Sequence, residues 1–374
     1  MTALRKGTLH FARPEDPAGW YVPVFFDVPA AGLPGVRVAV SYPRDRARVD
    51  VGLWDPAGFR GWSGSERSEL WVGPETATPG YLPGELPAGQ WAVWLGLYVV
   101  PEDGVDIEIT VTAAPPPPVA APDGEPGPRP ARRSLPTGPW GGTWLAGDLH
   151  CHTVHSDGAG TVGAVAAMAR RAGLDFLAVT DHNTVSHHTE LPAAAAATGV
   201  ALLAGQEVTN YAGHANAFGP RRWIDFRRPA DTWLDATAAE GGVLSVNHPT
   251  AGDCGWQLPL GRPPGLLELW PGGWNRRADA SATALLEVFE RLGRPAAVGG
   301  SDYHRPSGHE AIGRPTTWVL AEGVAPADLP ARAGEASSSA GRSSAGGRAG
   351  SSGSDDLADV VLAGLAAGRT AVSS

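Results

Sequence analysis

The stretch GDLHCHTVHSDG, residues 147–158, places three histidines, one cysteine and two acids within twelve residues. It follows the apolar run TWLA (143–146), which predicts a buried strand that ends in polar side chains. Because side chains alternate along a strand, His150 and His152 share one face and Cys151 points to the other. The stretch therefore predicts a pair of histidine ligands at the end of a strand.

Four later apolar runs end in the same way. Their polar ends are TDH (180–182), QE (206–207), NHP (247–249) and SDYH (301–304). Further strands are predicted at 214–218, 266–270 and 316–320, and helical stretches that stop at Gly are predicted at 161–173, 231–241 and 282–293. Alternating strands and helices indicate a parallel α/β sheet or barrel, whose strand ends meet at the face that carries active sites.

The rest of the chain divides by composition. Residues 1–113 contain short alternating apolar runs such as DIEITVT (106–112), which predict a small antiparallel β-sandwich. The Pro-rich segment 114–139 predicts a linker, and 140–374 predicts the catalytic domain. Within it, the Ser/Gly/Ala-rich stretch 333–356 predicts a disordered insertion.

The composition of the chain argues against nucleic-acid-binding and membrane proteins. The net charge of −10, from 29 basic and 39 acidic residues, argues against a dedicated nucleic-acid surface. Two cysteines form no disulfide framework, the first residues lack an apolar leader pattern, and no apolar run reaches the length of a membrane span. We therefore expect a cytoplasmic protein with no membrane contact, and the oligomeric state stays open.

Ten of the 11 histidines lie between His150 and His309, which indicates one functional region. Imidazole and carboxylate together suit Zn²⁺, Mn²⁺ or Fe²⁺. The candidate metal ligands are His150, His152, Asp157, His182, Glu207, His214, His248, Asp302 and His304. They exceed the need of one ion, so we expect two or three divalent ions with a bridging carboxylate. For His214 the residues leave both a ligand and a structural role open.

The polar residues also allow other interpretations. A nucleophilic Cys151 needs a neighbouring imidazole, and strand alternation disfavours it, so a buried filler is the preferred interpretation. His187 and His188 are predicted at the surface. His155 and His309 are each either a substrate-facing acid, a phosphate contact or a solvated residue. No GxSxG or Walker-type loop occurs in the sequence, which disfavours serine hydrolases and P-loop NTPases.

The motifs together resemble a known family. The segments HCH (150–152), SDG (156–158), TDHN (180–183), GQEV (205–208), GHAN (213–216), NHP (247–249) and GSDYH (300–304) resemble, in order, those of the polymerase-and-histidinol-phosphatase (PHP) metallohydrolases. The N-terminal sandwich, LELW…GGWN (267–275) and GRPTTWVL (313–320) are similar to its CehA/McbA branch.

The resemblance implies a distorted (β/α)₇ barrel with two or three metal ions. It implies that one ion is bound by His150, His152, Glu207 and Asp302. Glu207 would bridge to a second ion, bound also by His214 and His248. Asp157, His182 and His304 would bind a third. Glu207 is thus both a metal ligand and the central catalytic residue of the prediction.

The function that follows is a metal-dependent phosphoesterase that hydrolyses a small phosphate ester or nucleotide through a metal-activated hydroxide. His155 is a candidate leaving-group acid, and Arg305 is a candidate contact for a phosphate oxygen. Because the CehA-like branch includes a carbamate hydrolase, a carbamate, amide or carboxylic ester hydrolase with the same metal site is the alternative. A metal-dependent binding or regulatory protein is the third hypothesis.

Overall fold

The computed structural model describes residues 2–30, 32–118, 128, 130, 142–252, 254–271, 282–306, 311–322, 324 and 353–373. The chain forms two units. The first comprises Met1–Pro122 with Val154–Asp157 and His182–His187, and the second comprises Asp123–Thr153, Gly158–Asp181 and His188–Ser374. The predicted boundaries at 113 and 140 stay predictions. Most of the predicted linker and most of the predicted insertion lie outside the described residues.

The first unit contains two four-stranded antiparallel sheets. Its strands are β1 (Thr2–Phe11), β2 (Tyr21–Val28), β3 (Val36–Ser41), β4 (Arg48–Asp55), β5 (Gly58–Trp62), β6 (Glu69–Val72), β7 (Gly89–Val99) and β8 (Val105–Ala113). The strand orders are β1-β8-β3-β6 and β2-β7-β4-β5. Ile107, Ile109 and Val111 on β8 are buried, as their alternation predicts, and pack in one core with Val93 and Leu95 of the other sheet. Side chains from both sheets thus share one hydrophobic core.

The second unit contains one nine-stranded sheet and five described helices. The strands are β9 (Thr143–Asp148), β10 (Phe176–Val179), β11 (Ala201–Asn210), β12 (Gly213–Phe218), β13 (Val243–Val246), β14 (Leu266–Pro271), β15 (Ala296–Gly300), β16 (Thr316–Ala321) and β17 (Thr370–Ser373). The helices are α1 (Val162–Arg171), α2 (Leu191–Thr198), α3 (Ala230–Ala239), α4 (Ala282–Arg291) and α5 (Gly353–Ala366).

The strand order of this sheet is β15-β14-β13-β12-β11-β10-β9-β16-β17. The edge strands approach each other, since the Thr370 hydroxyl donates a 2.7 Å hydrogen bond to the Ala297 carbonyl, and the sheet is therefore nearly closed and barrel-like. The pairs β9–β10, β10–β11, β13–β14 and β14–β15 are parallel, whereas β12 and β16 pair antiparallel with both neighbours. The sheet is thus mixed, where the sequence pattern predicts a parallel one.

The reversal at β12 has a local cause. Only Tyr211 and Ala212 separate β11 from β12, and so short a connection can join antiparallel strands but no parallel pair. Gly213 follows with a φ of 146°, a conformation that side-chain-bearing residues avoid. The hairpin places His214 opposite Thr209 on β11.

Helix α1 shows how the helices cover the sheet. The Thr161 side chain caps its first turn by accepting a 3.2 Å hydrogen bond from the Ala164 amide. Its apolar residues recur at helical spacing, and Val162, Val165 and Ala169 are buried against the sheet. Among the described residues, no helix has both the length and the apolar composition to cross a bilayer.

Candidate metal centre

The centre begins where the chain leaves β9. His150 and His152 follow the strand directly, and both are fully buried. The Asp302 amide donates to the His150 carbonyl at 2.9 Å, and the His152 amide donates to the Tyr303 carbonyl at 2.9 Å. The segment after β9 therefore runs beside the segment after β15, and the two predicted ligand pairs meet as the strand pattern predicts.

Glu207, near the middle of β11, is the centre of a cluster of imidazoles. It is fully buried, and its Oε1 atom lies 3.3 Å from His150 Nε2, 3.3 Å from His214 Nδ1 and 3.3 Å from His248 Nε2. Its Oε2 atom lies 3.5 Å from His152 Nε2. One carboxylate thus faces four of the histidines that the sequence singles out.

Asp302 brings a second carboxylate to the same histidines. Its Oδ1 atom lies 3.2 Å from His150 Nε2 and 3.2 Å from His152 Nε2. Burial opposes the protonation of His150, but the carboxylates of Glu207 and Asp302 outweigh it and raise the pKa of that imidazole well above its ordinary value. Burial works against ionisation of Asp302, but the imidazoles outweigh it and hold its pKa well below the usual range. The concentrated negative charge favours any cation that enters.

The donor atoms fit metal ions. Two ligand atoms bound about 2.1 Å from one ion lie roughly 3.0–3.5 Å apart at octahedral or tetrahedral angles. The distances that join Glu207 and Asp302 to the imidazole nitrogens of His150 and His152 run from 3.2 to 3.5 Å and match that spacing. The group of His150, His152 and Glu207 therefore suits a divalent metal site, as does the group of His150, His248 and Asp302.

Two asparagines hold the Glu207 carboxylate in place. The Asn247 side-chain amide donates to Glu207 Oε1 at 2.9 Å, and Asn247 Oδ1 accepts from the Asn216 amide at 3.3 Å. The Asn216 side chain donates to the Leu149 carbonyl at 3.1 Å. These bonds link β11, the end of β13, β12 and the segment after β9, so the orientation of the carboxylate is fixed by the sheet itself.

Glu268, on β14, is a functional residue that the sequence analysis missed. It is 2% exposed, its Oε1 atom lies 3.1 Å from His150 Nδ1, and its Oε2 atom accepts a 2.8 Å hydrogen bond from the His248 amide. A histidine that donates its Nδ1–H to a carboxylate presents the lone pair of Nε2 to a metal. Gly300 makes room for this contact, because a Cβ atom there would lie 2.3 Å from the His150 Cβ and 2.8 Å from Glu268 Oε1.

We expect Glu268→Gln to lower metal affinity by about 10–100-fold, the range for loss of a group that orients a metal ligand. The Glu268 carboxylate accepts from both His150 Nδ1 and the His248 backbone N–H. The glutamine side chain has one acceptor oxygen, so it can serve only one of these donors, and its NH₂ group faces the other. Titration of the metal-free protein with Mn²⁺ or Zn²⁺ in a calorimeter measures the effect. Glu322→Gln, which alters an exposed pair with Arg369, is the control. Wild-type affinity in the Glu268 variant would contradict the orienting role.

Two further aspartates tie the strand ends together. Asp148 is fully buried and accepts backbone N–H bonds from His150 at 3.1 Å, Ser301 at 2.9 Å and Gly313 at 2.7 Å. Burial raises the pKa of Asp148, and these donors oppose the rise. Asp181 accepts from the amide and hydroxyl of Thr153 at 2.8 and 2.7 Å, and so ties the segment after β10 to the segment after β9.

Two of the predicted ligands adopt a left-handed backbone. The φ angle of His248 is 23° and that of Asp302 is 51°. Few residues with side chains occupy this region, and such conformations concentrate at functional sites. The strand ends are therefore shaped to aim these side chains at the centre. His248 Nδ1 also lies 3.6 Å from the Cys254 sulfur, on the ring side away from Glu207.

The remaining three predicted ligands are divided between the units. His304 is in the second unit, where its ring stacks on that of His152 at 4.3 Å and its Nδ1–H donates to the Asp302 carbonyl at 2.8 Å. Asp157 and His182 are in the first unit, with Asp157 Oδ2 at 3.7 Å from His182 Nε2. Burial raises the pKa of Asp50, on β4, to about 7, with the charge of His182 opposing the rise and that of Asp157 adding to it. The third-ion assignment stays a prediction.

The other candidates fall in varied surroundings. Cys151 is fully buried, and its thiol donates to the Ala178 carbonyl at 3.3 Å. Burial raises the pKa of this thiol well above its ordinary value. Cys151 therefore fills space in the core, as predicted, and is not set up as a thiolate nucleophile. His155 is 4% exposed and Arg305 is exposed, and their catalytic roles stay predictions. His187 is fully buried, so its predicted surface position is wrong, and His309 lies outside the described residues.

A known protein family matches the part of the chain that contains most of the centre. A family model for the PHP domain matches residues 148–248, which include Glu207 and the four histidines around it, whereas Asp302 lies beyond the match. No curated protein sequence is significantly similar to the chain.

Among solved structures, a two-domain protein from Bacteroides vulgatus that contains a predicted PHP-like metal-dependent phosphoesterase is 18% identical, covering 65% of this chain and 69% of that one with a TM-score of 0.43. A proposed metal-dependent phosphoesterase from Bifidobacterium adolescentis is 19% identical, covering 44% and 90%, with a TM-score of 0.35. An amidohydrolase from Chromobacterium violaceum, with bound sulfate and no metal, is 18% identical, covering 44% and 89%, with a TM-score of 0.33. Residues 148–248, which contain the paired histidines, Glu207, His214 and His248, match the PHP domain family.

Proposed function

We propose that the protein is a metal-dependent phosphoesterase that hydrolyses a small phosphate ester or a nucleotide. The observation that carries the proposal is the buried Glu207 carboxylate within 3.5 Å of four imidazole nitrogens. Together with the PHP domain match, it supports a metal-dependent hydrolase. The finer proposal is a distorted (β/α)₇ barrel of the PHP type, in the CehA/McbA branch, with two or three Mn²⁺, Zn²⁺ or Fe²⁺ ions.

The ligands divide into two sets around Glu207. His150, His152 and Asp302 share one side of the proposed centre with Glu207, since Asp302 lies 3.2 Å from both imidazoles. His214 and His248 approach the Oε1 atom of Glu207 at 3.3 Å and form the second set. Glu207 would therefore bridge two ions. Asp157, His182 and His304 are proposed to bind a third.

The residues of the centre prepare it for an anionic substrate. Bound divalent ions polarise a phosphoryl oxygen and lower the pKa of water from about 15.7 to about 7, which makes a strong nucleophile available at neutral pH. Glu207 and Asp302 would repel a phosphate while uncompensated, so cations must bind before the substrate. Glu268 keeps the Nε2 lone pair of His150 directed inward, and Asn247 keeps Glu207 from rotating. The exposed Arg305 is proposed to contact a phosphate oxygen.

One preparation tests the proposal. Protein stripped with a chelator and reloaded with Mn²⁺, Zn²⁺ or Fe²⁺ is analysed for metal content and for turnover of two substrate panels. One panel holds phosphomonoesters, phosphodiesters and nucleotides, and the other holds carbamates, amides and carboxylic esters. We expect at least two metal equivalents and metal-dependent turnover of a phosphate ester.

His150→Ala should abolish that turnover, whereas His10→Ala, which removes an exposed histidine paired with Asp106, should not. Turnover confined to the second panel would replace phosphate esters by carbamates, amides or esters as the substrate class. Full metal content without turnover of either panel would favour a binding or regulatory protein. A metal content near zero that reloading cannot restore would contradict all three.

A further inference from the structure

The first unit contains two segments that lie far from the sandwich in sequence. Val154–Asp157 follows the paired histidines, and His182–His187 follows β10, yet both belong to the same compact unit as Met1–Pro122. The first segment carries Asp157 and the second carries His182, which are two of the ligands proposed for the third ion. Their contacts with the sandwich therefore bear on these two side chains.

Arg67, in the loop between β5 and β6, holds the first segment. One guanidinium nitrogen donates to the Ser156 carbonyl at 3.1 Å, and another donates to the Val154 carbonyl. These two carbonyls flank His155, and the Ser156 carbonyl immediately precedes Asp157. A planar guanidinium that spans two carbonyls fixes both their separation and their direction. The backbone that leads into Asp157 is thus held from the sandwich by one side chain.

Gly80 holds both segments at once. Its amide lies 3.3 Å from His155 Nδ1 and 3.0 Å from the Ser186 hydroxyl, and its carbonyl accepts a 2.9 Å bond from the Thr184 hydroxyl. His155 Nδ1 and the Ser186 hydroxyl are themselves 2.7 Å apart. The φ angle of Gly80 is 97°, and a Cβ atom there would lie 2.7 Å from the His155 carbonyl oxygen. Only glycine allows this approach.

The Gly80 peptide is anchored in the sandwich core. The Trp62 amide donates to the Gly80 carbonyl at 3.2 Å. The next residue, Tyr81, is 2% exposed, and its hydroxyl donates to the Val51 carbonyl at 2.9 Å and lies 2.9 Å from the Ser63 hydroxyl. The Gly80 peptide, which contacts both segments, is therefore held in place by hydrogen bonds to the sandwich. His155 takes part in this network through its Nδ1 atom.

We propose that Arg67 and Gly80 are positioning residues for the metal-binding pair Asp157 and His182, so that the N-terminal sandwich determines the affinity of the third ion. This inference rests on the proposed function. It assigns to the sandwich a part in metal binding that composition and strand pattern did not indicate. The two segments meet where Asp157 Oδ2 lies 3.7 Å from His182 Nε2, slightly farther apart than two ligand atoms of one bound ion.

The test measures metal binding by the full chain, through equilibrium dialysis against buffered Mn²⁺ with elemental analysis. The variants are Arg67→Met, which keeps the length of the side chain and removes its donors, Arg67→Lys, which keeps a donor, and Gly80→Ala. Arg46→Met, which removes an exposed pair with Asp103 in the same unit, is the matched control. Thermal unfolding of each variant is recorded alongside.

We expect Arg67→Met and Gly80→Ala to weaken one of three Mn²⁺ equivalents by about 10-fold or more and to leave the other two unchanged. Arg67→Lys should recover part of the loss, and Arg46→Met should bind as the wild type does. Unchanged affinity for every equivalent in Arg67→Met and Gly80→Ala would overturn the proposal, and so would an equal loss of all equivalents. A wild type that binds only two ions would overturn it as well.

The outcomes also separate this inference from the proposed function. Phosphate ester turnover by a protein that binds only two ions would leave the function standing and remove the third-ion role. Absence of turnover in a wild type that binds three ions would contradict the function. In that case a selective loss in Arg67→Met would still support the positioning role.

Discussion

Glu207→Gln should remove two metal equivalents together and lower phosphate ester turnover by about 10²–10⁴-fold, because loss of metal-based charge stabilisation amounts to several kcal/mol of the barrier. The substitution keeps the shape of a side chain that four imidazoles surround at 3.3–3.5 Å. It removes the charge that both ligand sets share. Elemental analysis and steady-state kinetics on the same preparation measure the two effects.

The control for this result is Glu290→Gln, which removes an exposed carboxylate of α4 paired with Arg294. It should retain wild-type metal content and turnover. Loss of only one equivalent in Glu207→Gln would contradict the bridging position and assign Glu207 to a single ion. Retention of both would show that His150, His152 and Asp302 bind without it.

Asp148→Ala should destabilise the protein by about 3 kcal/mol, which lowers the melting temperature by roughly 6–12 °C for a domain of this size. Asp148 accepts hydrogen bonds from the backbone N–H groups of His150, Ser301 and Gly313. Without the carboxylate, these three N–H groups would stay buried and would have no acceptor. The alanine variant also avoids the desolvation cost of burying a carboxylate. The net loss in the free energy of unfolding is therefore smaller than the sum for three lost hydrogen bonds. Thermal and urea unfolding of the metal-free protein measure it.

The melting temperature of Asp148→Asn should lie between those of the wild type and the alanine variant. Its amide oxygen can still accept from His150 and Ser301, while its nitrogen faces the Gly313 donor. Asp235→Ala, which removes an exposed carboxylate beside Arg262, is the matched control and should change the melting temperature little. A shift below about 3 °C in Asp148→Ala would contradict the structural role.

Most of the centre could be predicted because its residues follow a simple rule of chain geometry. His150, His152, His248 and Asp302 follow strand ends, and the carboxyl ends of neighbouring parallel strands meet at one edge. His214 is different: it stands at the start of an antiparallel strand, and only the register that pairs it with Thr209 brings it to the same edge. The sequence therefore left its role open.

Other residues could not be predicted because their signal depends on tertiary contacts. Glu268 sits in the apolar run LLELW, 118 positions from His150, and no spacing rule connects the two. Gly80 looks like an ordinary turn residue until the segments that contact it are known. The sandwich contacts of Val154–Asp157 and His182–His187 were missed for the same reason.

Weak local patterns explain why three elements, β1, α2 and β17, were not predicted from the sequence. Strand β1 is an edge strand whose side chains are all exposed or partly exposed, so its hydrophobic alternation is faint. Helix α2 reads LPAAAAAT, and its eight residues are too short and too rich in alanine for a helical periodicity to show. Strand β17 has only four residues, none of them fully buried.

The left-handed backbone at His248 and Asp302 has a consequence for the evolution of the chain. A conformation of this kind costs on the order of 1–3 kcal/mol for a residue with a side chain, and glycine adopts it freely. Selection for folding alone would therefore drift toward glycine or asparagine at both positions. Their imidazole and carboxylate persist against that drift only while the proposed metal binding is under selection. A descendant that has lost the activity should lose these two residues early.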